Sequence, residues 1–387
     1  MERILIFTGK GGVGKTSVAA AHARRSAEEG RKTLLVSTDM AHNLGDIFEL
    51  ELGKEAVQAA PCLDVLEIDP NFVMETEFQE VKRAIANMLS SPQMSLADFD
   101  ELSVIPGMDE LFSLLKILQV YKAKVYERII VDCAPTGETL SLLKFPELLS
   151  WYMEKFFPVG KAAVRVLSPV SKKLFQLELP DKEAMNDIER IYGQMIELEE
   201  LLRDREVTSI RLVCMPEKMV VEETKRNYMY MNLYDFQVDG LYINRILPKD
   251  LKNSFFEEWV GIQGEYVKEL EGVFAGIPVY HIPWFDSELN GIAGVERIKE
   301  VLGGDIFKVQ DSIRGEEYEK TRDGYRMKLY LPCAQKGDLK LHETDSDVIV
   351  KIGNFKRNIP CPNVLRGYGI TGAKMDGATL TITFSPQ

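Results

Sequence analysis

A glycine-rich segment directly after an apolar run near the start of the chain is the feature that most constrains the fold. Residues 3–8 (RILIFT) have the apolar character of a buried strand, and residues 9–16 (GKGGVGKT) follow at once. The small residues that begin at Ser17 are compatible with a helix. A strand, a glycine-rich loop and a helix in this order are typical of a phosphate-binding loop. We therefore predict an α/β fold with a mostly parallel sheet flanked by helices.

The spacing of Gly9, Gly14, Lys15 and Thr16 fits the Walker A pattern. In such a loop the backbone N–H groups point inward at the phosphates, and the helix N-terminus adds positive potential. Lys15 is predicted to reach the β- and γ-phosphates, and Thr16 is predicted to ligate Mg²⁺. The predicted nucleotide-binding residues of the loop are Gly11, Gly12, Val13, Gly14, Lys15, Thr16 and Ser17. The alternative is a glycine turn without a ligand.

Length and composition limit the class of protein. A chain of 387 residues exceeds one typical core, so we expect a large α/β domain and a smaller one. The net charge of −13 argues against a nucleic-acid partner, which would need a basic face. No apolar run is long enough for a membrane span and the start does not read as a signal peptide, so we expect a cytoplasmic protein.

The cysteines are scattered and form no C-x-x-C pair, which predicts neither a zinc site nor a disulfide framework. The simplest interpretation is buried, reduced thiols. The positions are Cys62, Cys133, Cys214, Cys333 and Cys361.

Two aspartates follow short apolar runs that have the character of buried strands. Residues 33–37 lead to Asp39, and residues 128–131 lead to Asp132. Since ligands of open α/β sheets bind at the carboxyl ends of the strands, both are candidate site residues. A helix N-cap is the alternative for Asp39, and a plain strand end before a Pro-Thr-Gly turn is the alternative for Asp132.

These motifs together resemble those of the ArsA/Get3 ATPases over roughly residues 1–303. Lys10 in GKGGVGKT is similar to the extra lysine of the deviant Walker A motif, and residues 132–137 (DCAPTG) resemble the switch II sequence of this family. The resemblance implies a homodimer in which Lys10 reaches the partner's nucleotide. It further implies that Asp39 orients the attacking water and that Asp132 holds Mg²⁺ through water. Cys133 and Glu138 depart from the usual switch II sequence.

The resemblance also implies an adenine site at Asn244, Pro283 and Trp284, with Arg245 where the family usually has glutamine. His281, which alternates within the same predicted strand as Pro283, is predicted to be packed. Residues 254–271 contain no cysteine, although eukaryotic Get3 proteins carry a zinc-binding C-x-x-C there. We therefore expect no zinc, and a dimer held by packing and nucleotide alone.

Two predicted insertions, about 71–124 and 151–205, carry apolar residues at helical spacing. In the second, the stripe consists of Met185, Ile188, Tyr192, Met195, Leu198 and Leu202. Ordinary core packing is one interpretation of such a stripe. The other is a groove for an apolar partner, since in Get3-like proteins the helices inserted at these places hold a transmembrane segment.

Beyond residue 303 the pattern changes to short alternating strands. We predict a linker at 304–320 and a β-rich domain at 321–387, which more weakly resembles the α-crystallin domain of small heat-shock proteins. So short a region buries little core alone, and it is therefore expected to dock or to dimerise.

Three functions fit the sequence. The favoured one is an ATP- and Mg²⁺-dependent homodimeric targeting factor or chaperone, which binds hydrophobic or tail-anchored membrane protein segments and works with a membrane receptor. The second is the ATPase subunit of an arsenite efflux pump, which the scattered cysteines oppose because As(III) prefers clustered thiolates. The third is a nucleotide-binding scaffold with negligible turnover.

Overall fold

The computed structural model describes residues 2–39, 43–77, 108–133, 182–251, 254–310, 315–335, 337–344, 347–365 and 367–386. The chain divides into two compact units, and the division passes through the first strand and the first helix. The first unit comprises residues 1–3 and 23–204, and the second comprises residues 4–22 and 205–387. Among the described residues, no helix has the length and apolar character needed to cross a membrane.

In the first unit the strands are ordered β3-β4-β2-β5. Their bounds are β2 Thr33–Ser37, β3 Val57–Ala60, β4 Leu63–Glu67 and β5 Arg128–Asp132. Strand β2 pairs in parallel with β4 and β5, and it is buried along its whole length, as expected of a strand covered on both faces. The register places Ser37 opposite both Glu67 and Asp132, so these three side chains share one edge of the sheet. Strand β3, which the sequence did not predict, is antiparallel to β4.

The helices of the first unit begin where local sequence signals predict. Their bounds are α1 Lys15–Glu28, of which residues 23–28 belong to this unit, α2 Asn43–Phe48, α3 Pro70–Glu77, α4 Met108–Lys122 and α5 Lys182–Arg203. The carboxylate of Asp69 accepts the N–H groups of Asn71 and Phe72, and Pro70 occupies the first helical position of α3.

Helices α3, α4 and α5 pack on one another in a helical layer. The apolar residues of α4 and the described ones of α5 are largely buried: Leu111, Phe112, Leu114, Leu115, Ile117, Leu118, Met195, Leu198 and Leu201. Met195 and Leu198 of the predicted stripe are therefore core, whereas Leu202 is only partly buried. The side chains of Met185, Ile188 and Tyr192 lie outside the described residues.

In the second unit the strands of the parallel sheet are ordered β1-β6-β7-β8. The bounds are β1 Arg3–Thr8, β6 Thr208–Cys214, α6 Lys218–Leu233, β7 Val238–Ile246, α7 Ser254–Val273, β8 Val279–Pro283 and α8 Gly291–Val301. The glycine-rich loop leaves the end of β1, and Asn244 lies near the end of β7. The predicted α/β class, with a mostly parallel sheet and flanking helices, is confirmed.

Residues 315–386 form an antiparallel all-β region, here called the C-terminal β region. One sheet has the order β14-β15-β10-β9 and the other has the order β11-β12-β13. The bounds are β9 Glu316–Lys320, β10 Tyr325–Tyr330, β11 Leu339–Glu343, β12 Asp347–Ile352, β13 Phe355–Pro360, β14 Tyr368–Asp376 and β15 Thr379–Pro386. The predicted all-β character is confirmed.

The segment predicted as a linker is more ordered than its sequence suggested. Strand β9 lies within it and pairs with β10. Ile306 and Phe307 are buried, and the side-chain amide of Gln237 donates to the carbonyl of Gln310 at 3.0 Å. Two apolar side chains and a hydrogen bond thus hold this stretch against the α/β part of the same unit.

Two side-chain predictions are wrong. His281 is exposed, and its Nε2 lies 3.2 Å from a carboxylate oxygen of Glu271. Strand β8 stands at the end of the strand order, where a side chain can turn to solvent. Cys133 and Cys214 are buried as predicted, but Cys333, in the turn after β10, is exposed, and Cys62 and Cys361 are only partly buried.

A buried polar network lies in the second unit behind the glycine-rich loop. The Arg211 guanidinium donates to the carboxylate of Asp239 at 3.2 Å and to the Tyr242 hydroxyl at 3.2 Å. The same hydroxyl lies 2.9 Å from Nε2 of His22, a residue of α1. Burial raises the pKa of Tyr242, which keeps the phenol neutral. The network therefore ties the helix that follows the loop to β6 and β7.

Asp239→Asn should destabilise the protein because it leaves the Arg211 charge in the interior without its carboxylate. Arg211 and Asp239 are only 3% and 0% exposed in their side chains, so we expect a loss of about 3–5 kcal/mol in the free energy of unfolding. Urea denaturation followed by fluorescence measures this. Asp376→Asn is the matched control, since the Asp376 pair with Lys374 is exposed and weak. Equal effects of the two variants would contradict the expectation.

Candidate nucleotide-binding site

The glycine-rich loop connects β1 to α1 and is closed on itself. The Lys15 ammonium lies 3.5 Å from the carbonyl oxygen of Lys10, and Lys15 is only 6% exposed. Gly9 packs so closely on β6 that an added Cβ would lie 2.1 Å from the carbonyl oxygen of Val213. A side chain cannot be accommodated there, which explains the glycine that opens the motif.

Asn244 fixes the far side of the loop. Its Nδ2 donates to the carbonyl of Val13 at 2.8 Å, and its Oδ1 accepts the N–H of Arg245 at 2.9 Å. Gly14 has a φ of +95°, and a Cβ built on it would lie 2.4 Å from Nδ2 of Asn244. Glycine at this position thus serves both the left-handed backbone and the close approach of the Asn244 amide.

A cavity of about 420 Å³ opens beside this contact. It brings together the predicted residues Gly14, Ser17, Asn244, Pro283 and Trp284. The rest of the lining is Arg245, Phe285, Ser287, Glu288, Leu289 and Ile298. Trp284 is 53% exposed, so its ring is available to a planar ligand at the cavity mouth. Of these residues Ile298 was missed, because it reaches the cavity from α8 and no local motif marks it.

The remaining predicted loop residues have different degrees of exposure. Val13 is buried, Gly11 and Gly12 are exposed, and Thr16 and Ser17 at the start of α1 are intermediate. Exposed glycines followed by a helix N-terminus suit an anion, because backbone N–H groups remain accessible and the helix dipole is positive at this end. The loop can therefore hold a phosphate chain next to the 420 Å³ cavity.

Lys10 extends from the loop toward α6. Its ammonium lies 3.8 Å from a carboxylate oxygen of Glu223, and the two side chains are 36% and 29% exposed. A half-exposed pair at this separation contributes less than about 1 kcal/mol, so it can be exchanged for a stronger anion.

In the first unit, a second group lies at the carboxyl ends of β2 and β5. The Ser37 hydroxyl lies 3.3 Å from Oδ2 of Asp132 and within 3.2 Å of the backbone N–H of Asp39, which donates to it. Asp132 is fully buried, and its carbonyl accepts the N–H of Thr38 at 3.0 Å. A carboxylate and a hydroxyl are hard oxygen donors, which suit Mg²⁺. Ser37 was not predicted as a site residue, although it lies directly before Thr38 and Asp39 at the end of a predicted strand.

Other predicted residues lie outside the described residues or form no site. Residues 40–42 and the switch II residues from 134 onward lie outside the described residues. The five cysteines form no disulfide bond with one another and lie on or beside different strands. In the part of the chain that the structure describes, no three His, Cys, Asp or Glu side chains are grouped to hold a metal.

Gly14→Ala should destabilise the nucleotide-free protein by about 2 kcal/mol, because it combines a left-handed alanine with loss of the Asn244–Val13 hydrogen bond. It should also weaken nucleotide binding. Thermal and urea unfolding without ligand measure the first effect, and titration with ADP measures the second. Gly264→Ala in α7, where a Cβ meets no atom within 4 Å, is the control. A stable Gly14→Ala protein with unchanged ADP affinity would refute the assigned role of Gly14.

Comparison with known proteins agrees with this geometry. Residues 2–304 match the family described as Anion-transporting ATPase, and residues 322–384 match the HSP20-like domain found in ArsA. A Chlorobaculum tepidum protein named "Putative arsenical pump-driving ATPase" is 36% identical over 94% of this chain and 91% of its own length. The Aquifex aeolicus protein of the same name, numbered 1, is 32% identical over 99% of this chain and 100% of its own.

The similarity extends to Get3 proteins at lower identity. ATPase GET3C of Arabidopsis thaliana is 28% identical over 78% of this chain and 82% of its own length. The matches place both the glycine-rich loop and the Asn244 strand within the ATPase family region, and the C-terminal β region within the HSP20-like one. The chain is thus an ATPase that belongs to the anion-transporting ATPase (ArsA/Get3) family and carries an HSP20-like domain.

Proposed function

We propose that this protein is a homodimeric, ATP-hydrolysing targeting factor or chaperone, which binds and releases apolar segments of membrane proteins. The observation that carries the nucleotide part is the contact of Asn244 with the glycine-rich loop beside the 420 Å³ cavity. The family to which the chain belongs supports ATP as the nucleotide.

Base selection follows from the two hydrogen bonds that orient the Asn244 amide. One N–H of Nδ2 donates to the Val13 carbonyl, and one lone pair of Oδ1 accepts the backbone N–H of Arg245. One donor and one acceptor remain for a ligand, since an amide has two of each. Adenine offers an amino group beside a ring nitrogen, which matches this pair. On the edge that carries N7, guanine instead offers its carbonyl and N7, two acceptors of which one would oppose Oδ1, and we propose that the base presents this edge.

In the proposed reaction Asp39 orients the attacking water and Lys15 neutralises charge on the β- and γ-phosphates. Lys10 leaves Glu223 and neutralises the γ-phosphate of the partner subunit. Thr16 would hold Mg²⁺ directly and Asp132 would hold it through water; the ion supplies further neutralisation of phosphate charge. Such transfer depends on positioning and electrostatics rather than on covalent help from the protein.

The cargo part of the proposal is supported by the apolar sequence of segments next to the helical layer of the first unit. Helices α3, α4 and α5 pack together, and the two long segments 78–107 and 134–181 begin or end at these helices. Segment 151–181 contains many apolar residues, among them Trp151, Phe156 and Phe157. Since most of the described apolar residues of α4 and α5 are core, we assign cargo contact to these two segments, which lie outside the described residues.

A second candidate is the driving subunit of an arsenical efflux pump, favoured by the names of the relatives. The dispersed positions of the cysteines do not favour it, because As(III) needs several thiolates at one site. Stimulation of ATP hydrolysis by arsenite would support this candidate.

Asn244→Ala should lower ATP affinity by about tenfold to a hundredfold, the value of one or two hydrogen bonds, while changing the already weak GTP affinity much less. Titration of fluorescent, non-hydrolysable ATP and GTP analogues gives the ratio of the two dissociation constants. A ratio that Asn244→Ala leaves unchanged would mean that another residue selects the base.

Asp39→Asn should reduce ATP turnover by about a hundredfold or more while ATP affinity stays within a few fold, because the amide is not a base for water. Asp46→Asn is the control, since Asp46 is an exposed acidic residue in α2. Phosphate release and analogue binding are measured on the same preparations. A turnover loss that tracks lost affinity would assign Asp39 to binding instead.

Cargo binding is tested by capture of a hydrophobic helical peptide on immobilised full-length Asp39→Asn protein. We expect capture with ATP, weaker capture with ADP, and none for a polar helical peptide of the same length. Equal capture in both nucleotide states, or none in either, would refute the cargo cycle. Arsenite-stimulated hydrolysis by the wild type would then favour the pump subunit.

A further inference from the structure

Helix α6 contacts two other parts of the second unit, one through its first half and one through its second half. Its first half carries Glu223, which pairs with Lys10 of the glycine-rich loop at 3.8 Å. Its second half meets the C-terminal β region. The helix is therefore a direct physical connection between the phosphate-binding loop and a region for which the proposed ATPase cycle has no role.

The contact of the C-terminal β region with α6 is built on Arg357 of β13. The Arg357 guanidinium donates to the carbonyl of Leu233, the last residue of α6, at 2.6 Å. It also donates to the carboxylate of Glu316 at 2.8 Å. Arg357 is 6% exposed, so this pair is largely removed from solvent.

Helix α6 lacks a basic residue in its own last turn. The unsatisfied carbonyls and the negative dipole end of a helix favour a cation there. The C-terminal β region supplies this cation through Arg357. The backbone N–H groups of residues 234–236 satisfy the carbonyls of residues 230–232, and Arg357 completes this cap at the carbonyl of Leu233.

Two further contacts strengthen the joint. The Tyr230 and Phe355 rings pack with their centroids 3.7 Å apart. The Tyr234 hydroxyl donates to the carbonyl of Lys356 at 3.0 Å. Residues 355–357 thus contact the last turn of α6 through a ring, a carbonyl and a guanidinium, which fixes the helix end in position.

We propose that the C-terminal β region is a brace that holds α6 so that Glu223 retains Lys10 in the nucleotide-free protein. Nucleotide binding draws Lys10 to phosphate and away from Glu223, so it opposes the braced arrangement. By thermodynamic linkage, if nucleotide binding weakens the brace by a given factor, weakening the brace must raise the affinity for nucleotide by the same factor. The inference rests on nucleotide binding at the loop and is independent of the cargo.

The Lys10–Glu223 pair limits the size of this coupling. Because the pair is half-exposed, its weakening can change nucleotide affinity by only about threefold to fivefold. The test must therefore resolve small changes, and a much larger effect would point to general loosening of the protein rather than to the brace.

The experiment compares full-length Arg357→Met with the wild type in two assays. Amide hydrogen exchange without nucleotide should become at least threefold faster for residues 9–16 as well as for the end of α6. The affinity for a non-hydrolysable ATP analogue should rise about threefold. Arg326→Met is the matched control, because Arg326 is an exposed arginine on β10 of the same region, and it should change neither quantity.

A double variant separates the brace from simple destabilisation. Glu223→Gln should raise analogue affinity by a similar factor, and adding Arg357→Met to it should give no further increase. If Arg357→Met does not fold, Glu316→Gln weakens the same joint more mildly and replaces it in both assays. Faster exchange confined to the end of α6, with residues 9–16 and affinity unchanged, would overturn the proposal.

The outcomes also separate this inference from the proposed function. The exchange of residues 9–16 is measured without nucleotide, so it reports the brace even if the protein hydrolyses no ATP. Conversely, normal ATP turnover with additive effects of Glu223→Gln and Arg357→Met would refute the brace and leave the ATPase assignment intact.

Discussion

The close approach of the Asn244 amide to Gly14 is the contact on which the site depends. An added Cβ would lie only 2.4 Å from Nδ2 and would displace the Asn244 amide, and the φ of +95° disfavours any side chain at this position. The resulting hydrogen bond to Val13 orients both the loop and the amide. One contact therefore joins the glycine-rich loop to the 420 Å³ cavity.

Burial separates the charges that support the site from those that can change partner. The Arg211–Asp239 pair is shielded from water and linked through Tyr242 to His22, so it holds α1 and the sheet strands together permanently. The Lys10–Glu223 pair lies in a half-exposed position, where an ion pair is weak and a phosphate competes easily. An ion pair thus holds elements together where it is buried and can change partner where it is half-exposed.

The C-terminal β region shows how a small antiparallel unit becomes part of a larger protein. Its seven strands form two sheets, which is little core for independent stability. Arg357 satisfies a helix end that its own sequence leaves without a cation, and Tyr230 supplies a ring for Phe355. The joint serves both partners, because the β region gains buried contacts and α6 gains a cap.

The sequence by itself determined the phosphate-binding loop, the order of strands and helices around it, and most of the candidate site. Lys15 was predicted from a local motif, because a phosphate-binding loop requires particular residue types in a fixed spacing. Asn244, Pro283 and Trp284 were predicted from the resemblance to the ArsA/Get3 family. Only the tertiary structure decided the pairing of Lys10 with Glu223, the place of Ile298 in the cavity, and the cap that Arg357 gives to α6. These contacts join residues far apart in the chain, and no local pattern records which surface charge or apolar side chain will meet which partner. The wrong prediction for His281 has the same origin, since alternation within a strand does not reveal that the strand lies at the end of the sheet.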